Sequence, residues 1–336
     1  MNTLSFSQKA LTSINSFLDR ADTNALAIGI IFKNGEIGYF TSEGVSLSSR
    51  FDVGSISKTF TAQLILGLVS EGKISLDDTA DKYLPLQKGS YPTILQLLTH
   101  TAGYGHLTPA EITVPRLLKK RYIRANLYRE VVREDIIAAL SRRNRTNHSS
   151  KYGYSDFAYA ILAMIAESIE KRPFYELLSE LIKDEYGLAD SEAYPTTPRV
   201  ATYLGDKPID SWVWDKENPY IAGGGVVSTI EDMIKYSSLQ LQSTSDRILL
   251  AQKAHPPSFS SKSNVGTCIG WHTYKRSDQL WHVGGVGAFR SSMIVNRHRR
   301  LAVVVLGNAK GGRSANVHYI AKLLYSELKK KKIRIR

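Results

Sequence analysis

Strand-like segments lie near both ends of this chain, and a long stretch without them separates the two groups. Near the start, residues 25–32 and 36–40 flank Lys33-Asn34-Gly35, and an Asn-Gly pair suits the positive φ angles of a tight hairpin turn. Near the end, four segments have strand character: 266–274, 279–283, 290–296 and 301–306. Because an isolated hairpin is only marginally stable, we expect the early hairpin to join the late strands in one sheet.

Helical patterns account for most of the remaining sequence. Residues 5–20 and 317–328 predict terminal helices, and a further helix is expected from Ser55 to Ser70. Residues 74–204 alternate helical stretches with turn-rich loops. The sequence therefore predicts an α+β fold, an antiparallel sheet flanked by terminal helices with an inserted, mainly helical lobe. We expect residues 1–73 and 205–336 to form the sheet domain, residues 74–204 to form the lobe, and an active site to lie between them.

Length and composition narrow the class of protein. With 336 residues the chain is long enough for two ordinary domains or one enzyme fold with an inserted lobe. The single cysteine, Cys268, excludes an intramolecular disulfide and a cysteine-based zinc site, and we expect neither a metal nor a cofactor. The first twenty residues are polar, and the longest apolar runs are shorter than the roughly 18 residues of a membrane span. We therefore expect a cytoplasmic protein.

The positive charge is concentrated in two segments. The formal net charge is +13, which raises nucleic acid, acidic membrane or an anionic substrate as partners. Residues 116–145 carry ten Lys and Arg against three acids, and residues 329–336 carry six without an acid. The remainder is neutral, and it shows no nucleic-acid module. Nucleic acid is therefore disfavoured, and weak contact of Lys329–Arg336 with a membrane surface is the better alternative.

A first candidate for chemistry is Ser55-Ile56-Ser57-Lys58. On a helix, Lys58 lies about one turn from Ser55, so its amine can reach the serine oxygen. A serine hydroxyl is a weak nucleophile without such a base, and a helix N-terminus supplies N–H groups suited to an oxyanion. The bland alternative is a helix cap followed by a solvated lysine, and the pattern alone does not exclude it.

Two further motifs lie far along the chain. Tyr154-Ser155-Asp156 directly precedes the apolar residues 157–166, a rigid place for a phenol that transfers protons. Trp281-His282-Val283-Gly284-Gly285 is strand-like, and its glycines allow close approach of another backbone or a ligand. Taken singly, a half-buried tyrosine and a structural histidine are the commoner interpretations.

The order and spacing of the three motifs resemble the penicillin-recognising serine hydrolases, closest to the branch of class C β-lactamases, D-aminopeptidases and esterases. That family carries Ser-x-x-Lys, then Tyr-x-Asn or Tyr-x-Asp, then Lys-x-Gly or His-x-Gly. Further stretches agree over about residues 20–330: Phe51–Gly54, Gly72–Asp78, Leu97–Gly103 and Gly223–Thr229.

The resemblance implies roles for the matching residues. Ser55 would form an acyl-enzyme, and Lys58 and Tyr154 would share the proton transfers, with Tyr154 the better candidate for activating the deacylating water. The backbone N–H groups of Ser55 and Gly285 would hold the oxyanion. His100 matches a position that is usually structural, and we expect His106 and His148 to be surface or lobe residues.

The chain departs from the family pattern at two positions. Asp156 replaces the usual Asn, and an ionised carboxylate accepts hydrogen bonds but cannot donate one to a substrate carbonyl. We hypothesise that Asp156 either pairs with Lys58 and moves the base role to Tyr154, or accepts from a substrate amine. His282 replaces the Lys of β-lactamases, so a mostly neutral imidazole stands where a fixed positive charge helps hold a carboxylate.

These features favour a serine hydrolase of amides or esters, either a peptidase of the D-aminopeptidase type or an esterase. A D-alanyl carboxypeptidase or a β-lactamase is the alternative within enzymes. A non-catalytic binding or sensor module is the alternative of another class, which the presence of Ser55, Lys58 and Tyr154 disfavours. The expected partner is a small molecule or short peptide, and an anionic one if the basic residues 116–145 border the site. The sequence gives no oligomeric state.

Overall fold

A computed structural model describes residues 3–19, 25–106, 109–110, 112, 114, 126–143, 152–204, 207–253, 255, 264–275, 277–309 and 316–335. Residues 116–125, 144 and 145, which hold six of the ten bases of the segment 116–145, lie outside the described residues, as do His148 and Arg336. Among those described, no helix is both long and apolar enough to cross a bilayer.

Strands from both ends of the chain form one sheet. The early strands are β2 (Leu26–Ile31) and β3 (Ile37–Thr41), and the late ones are β8 (Val265–Cys268), β9 (Trp271–Tyr274), β10 (Leu280–Val286), β11 (Phe289–Asn296) and β12 (Leu301–Asn308). The strand order is β3-β2-β12-β11-β10-β9-β8, with neighbours antiparallel. Ile30 lies opposite Val303, so the early hairpin joins the late strands as predicted.

Short pairs of strands complete the β-structure. The first strand, β1 (Leu4–Ser5), pairs with the last, β13 (Arg334–Ile335). Beside the sheet, β4 (Phe51–Asp52) pairs with β7 (Val227–Ser228). A small hairpin joins β5 (Thr202–Leu204) to β6 (Lys207–Ile209).

Helices cover both faces of the sheet. On one face, α1 (Gln8–Leu18) and α10 (Val317–Lys329) pack on alternate side chains of β2 and β12 in a separate hydrophobic cluster. On the other face lie α2 (Ser57–Ser70) and α8 (Ile230–Gln242). At Gly29 in β2, a Cβ would come within 2.4 Å of Ile234 in α8, so this helix packs directly on the backbone of the strand.

The remaining described α-helices between the two groups of strands are short, apart from one. They are α3 (Ile94–Leu98), α4 (Arg133–Ser141), α5 (Asp156–Glu170), α6 (Phe174–Glu180), α7 (Ile221–Gly224) and α9 (Asp246–Gln252). The longest, α5, is buried from Phe157 to Ala166 and packs against α2, α3 and α7. The predicted α+β class is therefore confirmed, whereas the division into two domains stays a prediction.

Two predicted elements differ from the structure. The helix expected from Ser55 begins with a tight 3₁₀ turn at Gly54–Ile56 and becomes α-helical only at Ser57, a common form of helix start. The segment 266–274 is not one strand but two, β8 and β9. Gly270 has φ +75° in the turn between them, and a Cβ there would lie 2.7 Å from Ala62.

Candidate active site

The segment before Ser55 packs against β10 through two glycines. Gly54 has φ +52°, and a Cβ on it would lie 2.6 Å from the Gly285 nitrogen. A Cβ on Gly284 would lie 2.0 Å from the Val53 carbonyl oxygen, which also accepts a hydrogen bond of 2.6 Å from Ser291 Oγ. This close approach places the Gly285 backbone beside the 3₁₀ turn that carries Ser55, where an oxyanion site was expected.

Lys58 lies in the first turn of α2 and is fully buried. Its Nζ donates to Ser55 Oγ at 3.3 Å, to Asp156 Oδ1 at 2.6 Å and to the Gly223 carbonyl at 2.7 Å. Burial lowers the pKa of Lys58 below that of an ordinary lysine, although the Asp156 carboxylate acts in the opposite direction. The amine is thus held against the serine oxygen with each of its three donor positions in use.

Asp156 is the first residue of α5, and the Ser155 side chain caps this helix by accepting from the Ala158 nitrogen at 3.2 Å. Besides the ion pair with Lys58, Asp156 accepts from Tyr128 Oη at 2.9 Å through its other oxygen. The first version of the Asp156 hypothesis, pairing with Lys58, therefore agrees with the geometry. Both carboxylate oxygens already have a donor in the absence of substrate.

Tyr154 lies directly beside this group. The Lys58 ammonium is 5.0 Å from the centre of its ring. Burial and the Asp156 carboxylate raise the pKa of Tyr154 well above its usual value, while the Ser55 side chain acts in the opposite direction. The phenol is therefore neutral in the resting site, and its hydroxyl makes no hydrogen bond of ordinary geometry with a described residue.

Histidine rings surround Tyr154, and the sequence motifs identify only some of them. His100 is 4.4 Å away, His106 is 5.0 Å, His272 is 5.9 Å and His282 is 6.3 Å between ring centres. His106 is exposed, as a surface residue should be, but it lines the cleft. His272 has no family motif around it, and the sequence gives no signal for its place here.

His282 is buried rather than directed into open solvent. Its Nδ1 lies 2.9 Å from the Val283 carbonyl oxygen. Burial holds the pKa of His282 well below its usual range, and His272 and Lys58 act in the same direction. The imidazole is neutral, so it supplies no fixed positive charge for a substrate carboxylate.

His100 fixes the backbone on which Tyr154 lies. Its φ of +58° is unusual for a residue with a side chain. Its Nδ1 accepts from the Ser155 nitrogen at 3.1 Å, and its carbonyl accepts from the Gly153 nitrogen at 2.8 Å. These bonds hold the segment on either side of Tyr154, which agrees with a structural role for this histidine.

A cleft of about 210 Å³ opens above Ser55 and Asp156. Four aromatic side chains that the motifs do not identify form much of its wall: Tyr128, Trp212, Trp214 and Tyr220. The rings of Tyr128 and Tyr220 stack with centres 4.5 Å apart, and Trp214 lies 6.2 Å from Tyr128. The segment Trp212-Val213-Trp214 contains two of the four tryptophans in the chain. This clustering is the sequence signal that could have identified the aromatic wall.

The glycine-rich segment Gly223–Gly225 contains the last two residues of α7 and the residue that follows this helix. A Cβ on Gly223 would lie 3.3 Å from Lys58 Nζ, so this residue brings a carbonyl to the buried ammonium. Ser55, Lys58, Tyr154, Asp156, His282, Gly284 and Gly285 thus meet in one place, although they come from three distant parts of the chain. Their catalytic roles stay a prediction.

Comparisons with known proteins agree with this arrangement. The chain is 24% identical over 326 residues to Protein flp of Staphylococcus aureus, an alignment that covers 88% of this chain and 59% of that protein. The chain therefore spans less than two thirds of the length of this relative. A Beta-lactamase of Pseudomonas fluorescens is 31% identical over 103 residues, 27% of this chain and 28% of that protein.

Solved structures share the fold. A class C beta lactamase from Rhodobacter sphaeroides superposes with a TM-score of 0.76 at 19% identity, covering 95% of this chain and 99% of that one. A D-stereospecific amidohydrolase from Streptomyces sp. gives a TM-score of 0.68 at 23% identity, with 90% and 94% covered. The profile of the Beta-lactamase family matches residues 17–327. Together with the arrangement around Ser55, this match confirms the resemblance: the chain belongs to the beta-lactamase family.

Proposed function

We propose that this protein is a serine hydrolase that cleaves a carboxylic ester or amide through an acyl-enzyme on Ser55. The observation that supports it best is the buried Lys58 ammonium, 3.3 Å from Ser55 Oγ and 2.6 Å from Asp156. A binding module would gain nothing from burying this lysine against a serine hydroxyl, because the desolvation cost of a buried charge is offset only in part by its pairing with Asp156.

Opposite pKa shifts support our proposal for the proton transfers. The pKa of Lys58 is lowered and the pKa of Tyr154 is raised, and groups shifted apart in this way suit the roles of base and acid. In acylation, Lys58 in its neutral amine form would take the Ser55 proton as Oγ attacks the carbonyl, and the neutral Tyr154 would donate a proton to the leaving group. In deacylation, the Tyr154 phenolate would take a proton from the attacking water, and Lys58 would return its proton to Ser55 Oγ as the acyl group leaves.

The lining of the cleft favours a substrate whose acyl group is uncharged. Its described lining contains aromatic and small residues and no Lys or Arg. The nearby Arg290 guanidinium already binds the protein backbone, because it donates to the carbonyls of Gly287 and Phe289 at 2.9 and 2.6 Å. Asp156, the carboxylate in the wall, is already paired with Lys58. A compact aromatic or short aliphatic acyl group fits such a wall better than an anionic or cationic one.

An aminopeptidase of the D-stereospecific type is the second candidate. The Asp156 side chain is 13% exposed at the cleft, so it is accessible to a substrate ammonium, and the Streptomyces neighbour is named as a D-stereospecific amidohydrolase. A D-alanyl carboxypeptidase or β-lactamase is less well supported, because the neutral His282 offers no fixed charge for a carboxylate. An anionic substrate held by residues 116–145 stays a prediction.

Covalent labelling tests the proposal. We expect a fluorophosphonate probe to add one adduct to the wild-type protein in intact-mass spectra, and none to Ser55→Ala. Ser57→Ala is the matched control, since Ser57 is fully buried and donates to the Gly54 carbonyl at 2.6 Å. An adduct that survives in Ser55→Ala, or no adduct with any acylating or phosphonylating probe, would overturn the serine hydrolase.

A substrate panel tests the acyl preference. We expect p-nitrophenyl esters of butyrate and phenylacetate to be cleaved at least tenfold faster, by kcat/KM, than the ester of succinate, which carries a carboxylate. D- and L-aminoacyl p-nitroanilides represent the ammonium-bearing class. Faster cleavage of a D-aminoacyl substrate than of either neutral ester would favour the second candidate instead.

Trp214→Ala tests the aromatic wall within the same panel. Trp214 is buried, and its ring lies 3.8 Å from the position of a Cβ on Gly224. Its removal should lower kcat/KM for phenylacetate by about tenfold and leave that for acetate, which is too small to reach the wall, within about twofold. An equal loss for both esters would show a general defect and would contradict a role in acyl selection.

A further inference from the structure

The turns at one end of the main sheet lie far from the active site. Because Gly285 pairs with Arg290 and Asn296 with Leu301, the eight-residue strand β11 runs from the cleft to the turn Arg297–Arg300. At the strand rise of about 3.3 Å per residue this separates the two by about 25 Å. Ile31 pairs with Ala302, so the turn after β2, which contains Lys33, emerges at the same end. Leu280 pairs with Val295, so the turn before β10, which contains Lys275 and Asp278, emerges there too.

The basic end of α10 reaches this same end of the sheet. Tyr325, in the last turns of α10, hydrogen-bonds Asn296 and lies near the Arg299 guanidinium. The Lys329 ammonium lies 5.2 Å from the centre of the Tyr325 ring. Two segments that are distant in sequence, the Arg-rich turn and the Lys-rich end of the helix, are therefore neighbours.

The residues after α10 are held in place. The backbone nitrogens of Lys331 and Lys332 donate to the carbonyls of Leu328 and Glu327, respectively. Ile333 is buried, and β13 pairs with β1. The lysines thus belong to a folded surface rather than a loose tail.

We call this surface the basic end. All of its members are exposed: Lys33, Lys275, Arg299, Arg300, Lys329, Lys330, Lys331, Lys332 and Arg334. The same turns carry two exposed carboxylates, Glu36 and Asp278. Glu327, the acid within the last turn of α10, is buried and accepts from Ser7 Oγ at 2.7 Å. Positive charge therefore dominates the basic end.

We propose that the basic end docks on an anionic lipid surface, with the active-site cleft facing away from the membrane. Six of the nine cations are lysines, compact and strongly hydrated charges that suit diffuse attraction to acidic headgroups. The described large apolar residues that are exposed, such as Tyr319 and Leu249, are not members of the basic end. Among the described residues, the basic end therefore presents no exposed Phe, Tyr or Trp on which a nucleotide base could stack.

Vesicle co-sedimentation tests the proposal independently of the hydrolase. We expect the full chain to bind vesicles of phosphatidylglycerol and phosphatidylcholine at 20 mM salt, to leave them at 300 mM, and to ignore vesicles of phosphatidylcholine alone, because salt screens exposed charges. A bound fraction that is the same on both kinds of vesicle, or that does not fall with salt, would contradict electrostatic docking.

Paired substitutions test whether both segments form one surface. Arg299→Gln with Arg300→Gln, and separately Lys330→Gln with Lys332→Gln, should each lower the partition coefficient about fivefold per charge removed. The control pair is Lys88→Gln with Lys183→Gln, which removes the same charge at exposed positions among the helices. Thermal melting of each variant verifies folding.

A lower partition coefficient for both pairs of the basic end, but not for the control pair, supports the proposal. A loss in the helix-end pair alone, or an equal loss in the control, contradicts a composite surface. Salt-sensitive binding of an RNA oligonucleotide by a protein that does not bind anionic vesicles, lost in both pairs of the basic end, would assign the basic end to nucleic acid and overturn the proposal.

Discussion

Asp156 is one of the two site residues at which this chain departs from the family pattern. An amide at this position could donate a hydrogen bond to a substrate and would carry no charge. The carboxylate instead forms an ion pair with Lys58 at 2.6 Å and accepts from Tyr128. The substitution therefore acts mainly on the protonation of the lysine, since an adjacent negative charge favours the ammonium.

Asp156→Asn should move the acidic limb of the acylation rate to lower pH. Asp156 raises the pKa of Lys58, so its removal lowers that pKa and makes the neutral amine available at a lower pH. Stopped-flow acylation by a neutral ester between pH 5 and 9 measures the limb.

Tyr128→Phe is the control for this change, because it removes a hydrogen bond to Asp156 without altering the charge beside Lys58. If the limb of Asp156→Asn stays where it is in the wild type, Lys58 is not the base of acylation. The proton would then have to leave Ser55 by another group, with Tyr154 the nearest candidate.

At the scale of single elements, strand β10 shapes the site through its backbone. Gly284 packs against the Val53 carbonyl, and the neighbouring Gly285 is exposed in the cleft. A Cβ added to Gly284 and one added to Gly285 would project from opposite faces of the sheet, because side-chain positions alternate along a strand. They therefore face very different surroundings.

Gly284→Ala should destabilise the protein by about 2 kcal/mol and abolish Ser55 labelling. A Cβ would lie 2.0 Å from a backbone oxygen, so the strand and the 3₁₀ turn would have to separate. Gly285→Ala is the matched control: its Cβ would meet nothing closer than the Arg290 side chain at 3.6 Å, and its stability should change by less than about 0.5 kcal/mol. Urea unfolding of both variants measures the difference, and equal stabilities would refute the packing argument.

For the whole molecule, buried histidines should make the fold sensitive to acid. Burial lowers the pKa of His272 and of His318 to about 4, and it holds the pKa values of His100 and His282 well below the usual range. In the unfolded chain these residues titrate near 6.5. The unfolded state therefore binds more protons below that pH, and stability should fall as the pH decreases from about 6.5 toward 4.

In the window between pH 6.5 and 5, the carboxyl of Asp52 acts in the opposite direction, because burial raises its pKa to about 7. The histidine contribution is therefore isolated by comparing histidine variants with the wild type, in which Asp52 titrates equally. We expect the free energy of unfolding from urea titrations to fall across this window. In His272→Gln the free energy of unfolding should depend less steeply on pH, by the equivalent of up to one bound proton. In His298→Gln, where the replaced side chain is 75% exposed, the dependence should match that of the wild type. A stability that does not vary across the window would contradict neutral burial of the histidines.

Short-range chemistry made much of the fold predictable from the sequence. The Asn34-Gly35 turn, the alternation of the late strands and the amphipathic terminal helices all depend on residues close together in the chain, and the α+β class follows from their order. The split of residues 266–274 into β8 and β9 was missed, because a glycine turn inside an apolar run is recognisable only from its contact with Ala62.

The sequence by itself determined the family, the class of fold and the residues that meet around Ser55, because motif order and spacing are properties of the chain. The aromatic wall, the place of His272, the pairing of Asp156 with Lys58 and the union of the Arg297–Arg300 turn with the end of α10 were decided only by the tertiary structure. Each of these joins side chains from distant segments, and their distances depend on how strands and helices pack. The basic run that the sequence shows near its end thus belongs, over the described residues, to a folded surface at the end of the sheet opposite the active site.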